Sequence, residues 1–414
     1  MHKYKSTLYA CYLGYITQAI VNNLAPILFV IFRDEFGISY EMIGRLTLLN
    51  FGTQIAADYL TLKIADKVGY RKAAVAAHIF CAAGLVGLGV FPRFFPSPYL
   101  GLVAAVIIYA VGGGIIEVLI SPIVDSLPGK EKASAMSLLH SFYCWGQMGV
   151  ILVTTVLIKL LGTGIWYILP ILWSLIPLGN MFNFLKVPLM PTIPEDEKIP
   201  LGRLFSSRAF VVALILMMCA GASELTMSQW ASLFAEKGLQ VPKFVGDLLG
   251  PCLFAVFMGI GRTLYGVWGY RIKLKKALLI SGVFCLVCYS MTIFIPVSIA
   301  ALLGCALCGL SVSLMWPGTF SFTARAFPKG GTAMFGALAI SGDFGGSIGP
   351  WLAGFVSDLV QKADNFTGFG IINAVSKEQL GLKSGLLVSM IFPLLLLTGV
   401  LLLKEKKSPD AAEE

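Results

Sequence analysis

The sequence predicts an all-α integral membrane protein of twelve transmembrane helices, arranged as two six-helix bundles with pseudo-twofold symmetry. Three observations predict it. The mean hydropathy over 414 residues is +0.83, with 57% of residues hydrophobic and only 13% charged. Long apolar blocks recur along the chain, such as TLYACYLGYITQAIVNNLAPILFVIF and SGLLVSMIFPLLLLTGVLLL. A charged stretch near the end of the second block reappears half a chain length later.

About 20 mostly apolar residues cross a bilayer core as a helix. In lipid the backbone must satisfy its own hydrogen bonds, so these blocks read as helices. The short alternating segments of a membrane β-barrel do not appear. The predicted spans are 7–32, 40–62, 73–92, 98–123, 134–160, 165–188, 207–233, 243–267, 275–295, 297–324, 332–359 and 384–403. The first is too long for a signal-peptide core and lacks an A-x-A site, so it reads as a mature helix.

The formal net charge is +9, which by itself suggests nucleic acid. Its distribution points to a membrane instead. With the N-terminus inside, 22 of the 31 Lys and Arg residues fall in cytoplasmic segments. That bias follows the positive-inside rule and puts both termini in the cytoplasm of a plasma (inner) membrane protein. Cys285-x-x-Cys288 and Cys305-x-x-Cys308 have zinc-ribbon spacing. Both pairs lie in apolar helices with no basic neighbour to favour thiolates, so they read as small hydrophobes, not metal ligands.

The repeat is legible residue by residue. With Asp58 placed over Arg262, Leu62 falls on Gly266, Lys67 on Arg271 and Lys72 on Lys276. Further on, Pro122 matches Pro317, and Ala135-Met136 matches Ala333-Met334. Two parallel repeats related about the membrane normal predict a solute site between them near the midplane. The expected domains are an N-terminal bundle over 1–188, a polar, proline-rich cytoplasmic linker over 189–206, and a C-terminal bundle over 207–414. No loop is long enough for a catalytic domain.

An ionisable side chain at the bilayer centre costs about 2.5–3.5 kcal/mol on insertion scales, so each needs a partner or a hydrated cavity. Asp58, Glu117, His140, Glu224 and Asp343 are the clear cases, while Arg45 and Arg262 lie nearer span ends. Several polar residues share helix faces at i, i+4 spacing. Gln18 and Asn22 do so in span one, with Asn23 beside them, and Asn50, Gln54 and Asp58 do so in span two. Glu117 aligns with Gly113 and Ser121, His140 with Cys144, and Glu224 with Ser228. Such residues either bond across helices as glue or line a hydrated cavity. Asp343, among small residues, faces either the cavity or a neighbouring helix. Glu117 follows three glycines and is the only charge in span four. It reads as a proton-binding carboxyl, or as one held silent by a neighbour.

KIADKVGYRK, residues 63–72, links spans two and three. It resembles the loop signature of the major facilitator superfamily, Gly-x-x-x-Asp-Arg-x-Gly-Arg-Lys. Here it reads Leu62-x-x-x-Asp66-Lys67-x-Gly69-Tyr70-Arg71, with leucine in place of the leading glycine. The resemblance implies that Asp66, Lys67, Gly69 and Arg71 stabilise one state of an alternating-access cycle. Asp58 and Arg262 flank this loop and its repeat as gating candidates. The alternative is a basic loop that only sets topology.

Within that superfamily the chain is similar to the fucose/galactose/glucose–proton symporter group. The resemblance rests on GYITQAIVNNLAPILFVIFRDEFGIS, ADYLTLKIADKVGYRK, GGGIIEVLISP and AGASELTMSQW. It implies that Glu117 is the proton-linked carboxyl and that Glu224 and Trp230 lie at the cavity. The group's first-span aspartate falls at Asn23, and the asparagine before its fourth-span proline falls at Ser121.

The residue types suit a sugar independently. Amides and carboxylates bond hydroxyls, and aromatic faces cover the C–H side. Gln18, Asn22, Asn23, Glu117, His140 and Gln229 supply the polar groups. Trp230, Tyr143, Trp145 and Trp316 supply the aromatic ones. The expectation is a monomeric, proton-coupled transporter of a neutral hexose or deoxyhexose, with no cofactor beyond the proton gradient and no nucleic-acid partner. The alternatives are an efflux antiporter of amphiphiles and an uncoupled facilitator. An enzyme is not expected, because only three histidines are present and no Ser-His-Asp, H-E-x-x-H or phosphate loop appears.

Overall fold

The computed structural model describes residues 4–402 apart from 39, 129–131, 191–198, 200, 243–244, 247 and 363–375. The described chain forms two compact units. The first holds residues up to Pro194 together with Gly331–Asp343, and the second holds Glu195–Gly330 and everything from Phe344 onward.

In the first unit, α1 spans Lys5–Phe36, α2 Tyr40–Val68, α3 Tyr70–Phe94, α4 Pro98–Ser126 and α5 Lys132–Leu161. The sixth predicted span is two helices, α6 (Ile168–Trp173) and α7 (Leu175–Lys186). In the second unit, a short α8 (Leu201–Phe205) falls within the predicted linker, half of which lies outside the described residues. There follow α9 (Arg208–Leu233), α10 (Leu253–Trp268), α11 (Leu274–Phe294), α12 (Ser298–Val312) and α13 (Met315–Ala326). The helix α14 (Gly331–Lys362) divides between the units after Asp343. The described residues end with α15 (Lys377–Ser389) and α16 (Ile391–Leu402). Single π-helical turns at Phe234–Gly238 and Leu248–Cys252 close α9 and open α10.

Among the described residues, nine helical stretches are long and apolar enough to cross a membrane. The helices α1, α2 and α14, which contain the first, second and eleventh predicted spans, are 32, 29 and 32 residues long. At 1.5 Å per residue the longest reach about 48 Å, more than the ~30 Å hydrocarbon core. Large apolar side chains such as Leu48, Leu160 and Ile299 stand exposed, a surface suited to lipid.

Three predicted spans are broken, and proline explains each break. A proline has no N–H for the carbonyl four residues earlier. Pro177 deprives Trp173, Pro317 deprives Ser313 and Pro393 deprives Ser389. The helices separate at Ser174, at Ser313–Leu314 and at Met390, beside those carbonyls. Pro26, Pro122 and Pro350 are absorbed inside α1, α4 and α14 without a break.

Glycine sets the closest approaches in the first unit. Without a hydrophobic force between helices in lipid, small residues that let backbones meet are what hold them. A Cβ on Gly112 of α4 would stand 2.4 Å from the Ala77 carbonyl of α3, and one on Gly84 would stand 2.3 Å from the Tyr109 nitrogen. The neighbouring Gly114 does the same for α2, at 2.7 Å from the Gln54 carbonyl. The triplet Gly112–Gly114 thus seats α4 against α3 and α2 together.

The loop between α2 and α3 is a single residue, Gly69, with φ of 89°. That left-handed conformation is open to glycine and strained for others. Arg71 then reaches across to the end of α7. Its Nη1 donates to the Phe184 and Leu185 carbonyls at 2.7 Å each, and its Nη2 donates to Val187 at 2.8 Å. A cation there satisfies orphan carbonyls and complements the helix dipole. Lys67 is exposed, and the side chain of Asp66 lies outside the described residues. Leu62 occupies the space over Gly336 of α14, whose missing Cβ would lie 2.2 Å from Leu62 Cδ2. The leucine that replaces the signature glycine is therefore matched by a glycine opposite.

Substituting Gly112→Ala is expected to cost about 1–3 kcal/mol, because backbone rather than a flexible side chain blocks the new methyl. Gly149→Ala, where nothing lies within 4 Å, is the control and should be neutral or mildly stabilising. Thermal unfolding in detergent compares the two, and equal midpoints would contradict the packing account.

Candidate functional site

Two polar clusters lie inside the units. In the first, α1 is the hub. Gln18 is buried and donates through Nε2 to Glu117 Oε2 of α4. One turn on, Asn22 Oδ1 accepts from Gln54 Nε2 at 2.7 Å and from Asn50 Nδ2 at 3.2 Å, tying α1 to α2. One turn earlier, the Tyr15 hydroxyl lies 2.9 Å from Ser121 Oγ of α4 and 3.2 Å from His140 Nε2 of α5. The Tyr15 and His140 rings also meet edge-on at 4.7 Å. Asn23 donates to its own helix at the Ala19 carbonyl, 2.9 Å away, and more weakly to the Tyr143 hydroxyl at 3.4 Å.

This cluster gathers the predicted Gln18, Asn22, Glu117 and His140, with Asn23 and Tyr143 on its edge. Tyr15 was not singled out in the sequence. The signal was present, since Tyr15, Gln18 and Asn22 fall at i, i+3 and i+7 on one helical face.

A separate network secures the far side of α1. Asn180 of α7 donates to the Ala10 carbonyl at 2.9 Å, and its Nδ2 lies 2.8 Å from His78 Nε2. His78 Nδ1 lies 2.7 Å from the Ala74 carbonyl, which can only accept. The proton therefore sits on Nδ1 and Nε2 accepts. His78 is consumed in structure.

In the second unit the centre is an ion pair. Arg262 Nη2 of α10 donates to Glu224 Oε2 of α9 at 2.9 Å, with the two side chains 3% and 9% exposed. Arg262 Nε donates to the Ser313 carbonyl at 2.9 Å. That carbonyl is the one Pro317 leaves without an N–H. The sequence placed Arg262 within reach of an interface, whereas the structure buries it. A charge carried into a span is drawn to its counter-charge and to the orphan acceptor at the helix break.

The remaining predicted residues of this unit are spread out. Trp230 is half-buried, donates to the Pro350 carbonyl at 3.2 Å and lies against Gly354. Gln229 is exposed. Trp316 of α13 is 8% exposed, and its indole N–H has no acceptor. A buried donor of this kind is one a ligand oxygen can satisfy.

The four cysteines meet between α11 and α12, with Cys285 and Cys308 sulfurs 3.9 Å apart. Cys305 lies 3.6 Å from the Thr292 hydroxyl, and Ser311 donates to Cys308 at 3.7 Å. Among the described residues no three His, Cys, Asp or Glu groups converge as a metal site.

The family model of the Major Facilitator Superfamily matches residues 11–350. The chain belongs to that superfamily. Membership makes it a multi-pass membrane protein that transports small solutes, and not an enzyme. Its architecture is that of solved transporters over nearly the whole chain. FucP, solved in an outward conformation, gives a TM-score of 0.75 at 15% identity, covering 97% of this chain and 99% of that one. A second structure, of the E. coli fucose:proton symporter FucP, gives 0.73 at 15% identity, covering 98% and 100%. The proton:xylose symporter XylE, bound to 6-bromo-6-deoxy-D-glucose, gives 0.72 at 14%, covering 94% of each chain. At such identities the likeness shows the fold alone. No curated protein sequence matches the chain.

Removing one partner of a buried ion pair strands the other. Arg262→Met is expected to cost about 3–5 kcal/mol, and the double variant Arg262→Met with Glu224→Leu to recover most of that loss. Thermal unfolding of the two single variants and the double variant measures the coupling. Simple additivity would show that the pair contributes nothing jointly.

Proposed function

We propose that this transporter takes up a neutral sugar, a hexose or deoxyhexose, coupled to protons through Glu117. On this reading it works as a monomer by alternating access, with both termini cytoplasmic, bundles at 1–188 and 207–414, and a linker at 189–206. The observation that carries the reading is the bond between Gln18 and Glu117. An amide has both donors and an acceptor. Gln18 can offer N–H to a carboxylate or its oxygen to a carboxylic acid, so either protonation state of Glu117 finds a partner. Glu224 differs, because Arg262 has only donors and holds its charge fixed.

The solute reading rests on the polar groups around Glu117. Gln18, Asn22, Asn23 and His140 offer hydrogen bonds of both kinds, and Tyr143 offers an aromatic face. In the second unit Trp316 adds a donor and a ring, and Gln229 and Trp230 extend the set. Arg262, a buried cation of that unit, in which Lys383 is buried too, is engaged by Glu224, which favours a neutral solute over an anion at that point. Asp66, Lys67, Gly69 and Arg71, with Asp58 and Arg262, are assigned to holding the conformational states. The names of the structurally similar symporters, for fucose and xylose, point the same way.

Asn23 keeps a second reading alive. It stands where the symporter group has an aspartate, and an amide cannot ionise. An uncoupled facilitator would have this feature, and an amphiphile exporter is the remaining transport alternative.

The test is uptake of labelled hexoses and deoxyhexoses into proteoliposomes with and without an inward proton gradient. The expected outcome is accumulation only with the gradient. Glu117→Gln should lower gradient-driven uptake by at least about tenfold, a loss of about 1.4 kcal/mol or more in transition-state terms, while sugar exchange at equal pH continues. Flux indifferent to the gradient would establish the facilitator. Flux of none of these sugars would overturn the sugar reading.

A further inference from the structure

The paired motifs Cys285-x-x-Cys288 and Cys305-x-x-Cys308 have no part in the proposed transport. They lie on α11 and α12, which are joined by residues 295–297. The two helices run antiparallel in one register. Thr292 Oγ1 donates to the Ala301 carbonyl at 3.4 Å. One turn further along the pair, a Cβ on Gly304 would stand 3.0 Å from the Cys288 carbonyl. One more turn along, Cys285 Sγ and Cys308 Sγ are 3.9 Å apart. Each step back along α11 is matched by a step forward along α12, so Cys285 and Cys308 stand directly opposed. Cys305 instead has the Thr292 hydroxyl at 3.6 Å.

At 3.9 Å the two sulfurs touch without being bonded, since a disulfide bond is about 2.05 Å long. A disulfide joins Cα atoms about 4.4–6.8 Å apart. The bare Gly304 lets the backbones of α11 and α12 meet one turn away, and such close packing suits that span. Both cysteines are completely buried. On neighbouring turns Val283 and Val287 of α11 and Leu303 of α12 stand exposed, a surface suited to lipid. The pair is sealed from water, so a reagent that reaches it has to dissolve in the bilayer.

We propose that Cys285 and Cys308 are a modification site, a thiol pair that a lipid hydroperoxide converts into a disulfide stapling α11 to α12. One thiol sulfur attacks the terminal peroxide oxygen. The O–O bond breaks, the sulfur becomes a sulfenic acid, and the lipid leaves as an alcohol that carries the first thiol proton. The facing thiol then attacks the sulfenic sulfur. An S–S bond forms, and the hydroxyl leaves with the second thiol proton as water. The two thiols together give up two electrons, and one hydroperoxide takes them. Both protons end on oxygen, so no charge is left in the hydrocarbon. The opposed thiol is what turns the sulfenic acid to a disulfide instead of to further oxidation. A thiol reductant reverses the bond. The staple falls shortly before Ser313, whose carbonyl accepts from Arg262 Nε, so it fixes the end of α12 beside the proline break. It does not depend on which solute is carried.

The test is peptide mapping of the full-length protein after exposure, in liposomes, to the hydroperoxide of an unsaturated phosphatidylcholine. Remaining thiols are blocked with N-ethylmaleimide before digestion. Chymotrypsin cuts after Tyr289 and Phe294, between the two cysteine pairs, so only a disulfide keeps the two peptides together. The expected result is a joined peptide linking Cys285 to Cys308 that dithiothreitol separates. It is expected to be absent in Cys308→Ser and in Cys285→Ser, and retained in Cys305→Ser. A serine hydroxyl can bond to its own helix, so these variants keep the packing; should one fail to fold, the other member of the pair decides. Cysteines that all remain free after peroxide treatment would overturn the proposal. So would a stable sulfenic acid trapped by dimedone without a link, or a link that persists in folded Cys308→Ser.

Discussion

Hydrocarbon offers no hydrogen bonds, so every polar group carried into a span must bring its partner from within the protein. The interior of this transporter follows from that constraint. Gln18 meets Glu117, Asn22 meets Asn50 and Gln54, and Tyr15 joins Ser121 and His140. All of these pairs run outward from α1. In the second unit the same constraint acts on backbone as well as side chain. Pro317 orphans the Ser313 carbonyl, and Arg262 serves that carbonyl and Glu224 at once. One guanidinium thereby repairs a helix break and neutralises an acid.

The two buried glutamates illustrate how a partner decides a role. Glu224 is tied to a group that cannot give up its charge, so its chemistry is fixed. Glu117 is tied to an amide that accepts either protonation state. Asp58 differs from both, because its buried carboxyl oxygens have no hydrogen-bond partner among the described residues. The two glutamates thus sit in two environments, cation and amide. Close packing makes these contacts possible. Gly114 seats α4 over Asp58, and Gly336 of α14 admits Leu62.

Much of the fold was legible because lipid imposes a simple rule on composition. Over its described residues, each of the twelve apolar blocks appears as a helix or as a pair of helices broken beside a proline. Pro177, Pro317 and Pro393 were visible in the sequence, but nothing in it separates them from Pro26, Pro122 and Pro350, which the helices absorb. The sequence marked Gln18, Asn22, Glu117 and His140 through their helical faces, and the same periodicity held Tyr15 unnoticed. The pairing of Glu224 with Arg262 was not legible, since the two residues stand on different helices and sequence distance says nothing of their approach. Trp230, read as a sugar-stacking ring, also donates through its indole N–H to the Pro350 carbonyl of α14, a contact that the sequence does not announce.

The central claim is that sugar and proton cross together. The most direct measurement is external pH in lightly buffered, non-energised proteoliposomes when a hexose or deoxyhexose is added outside while its labelled form is followed inward. The account predicts that the medium turns alkaline as sugar enters, with proton and sugar fluxes in fixed proportion. Sugar entry with no change in pH would contradict it.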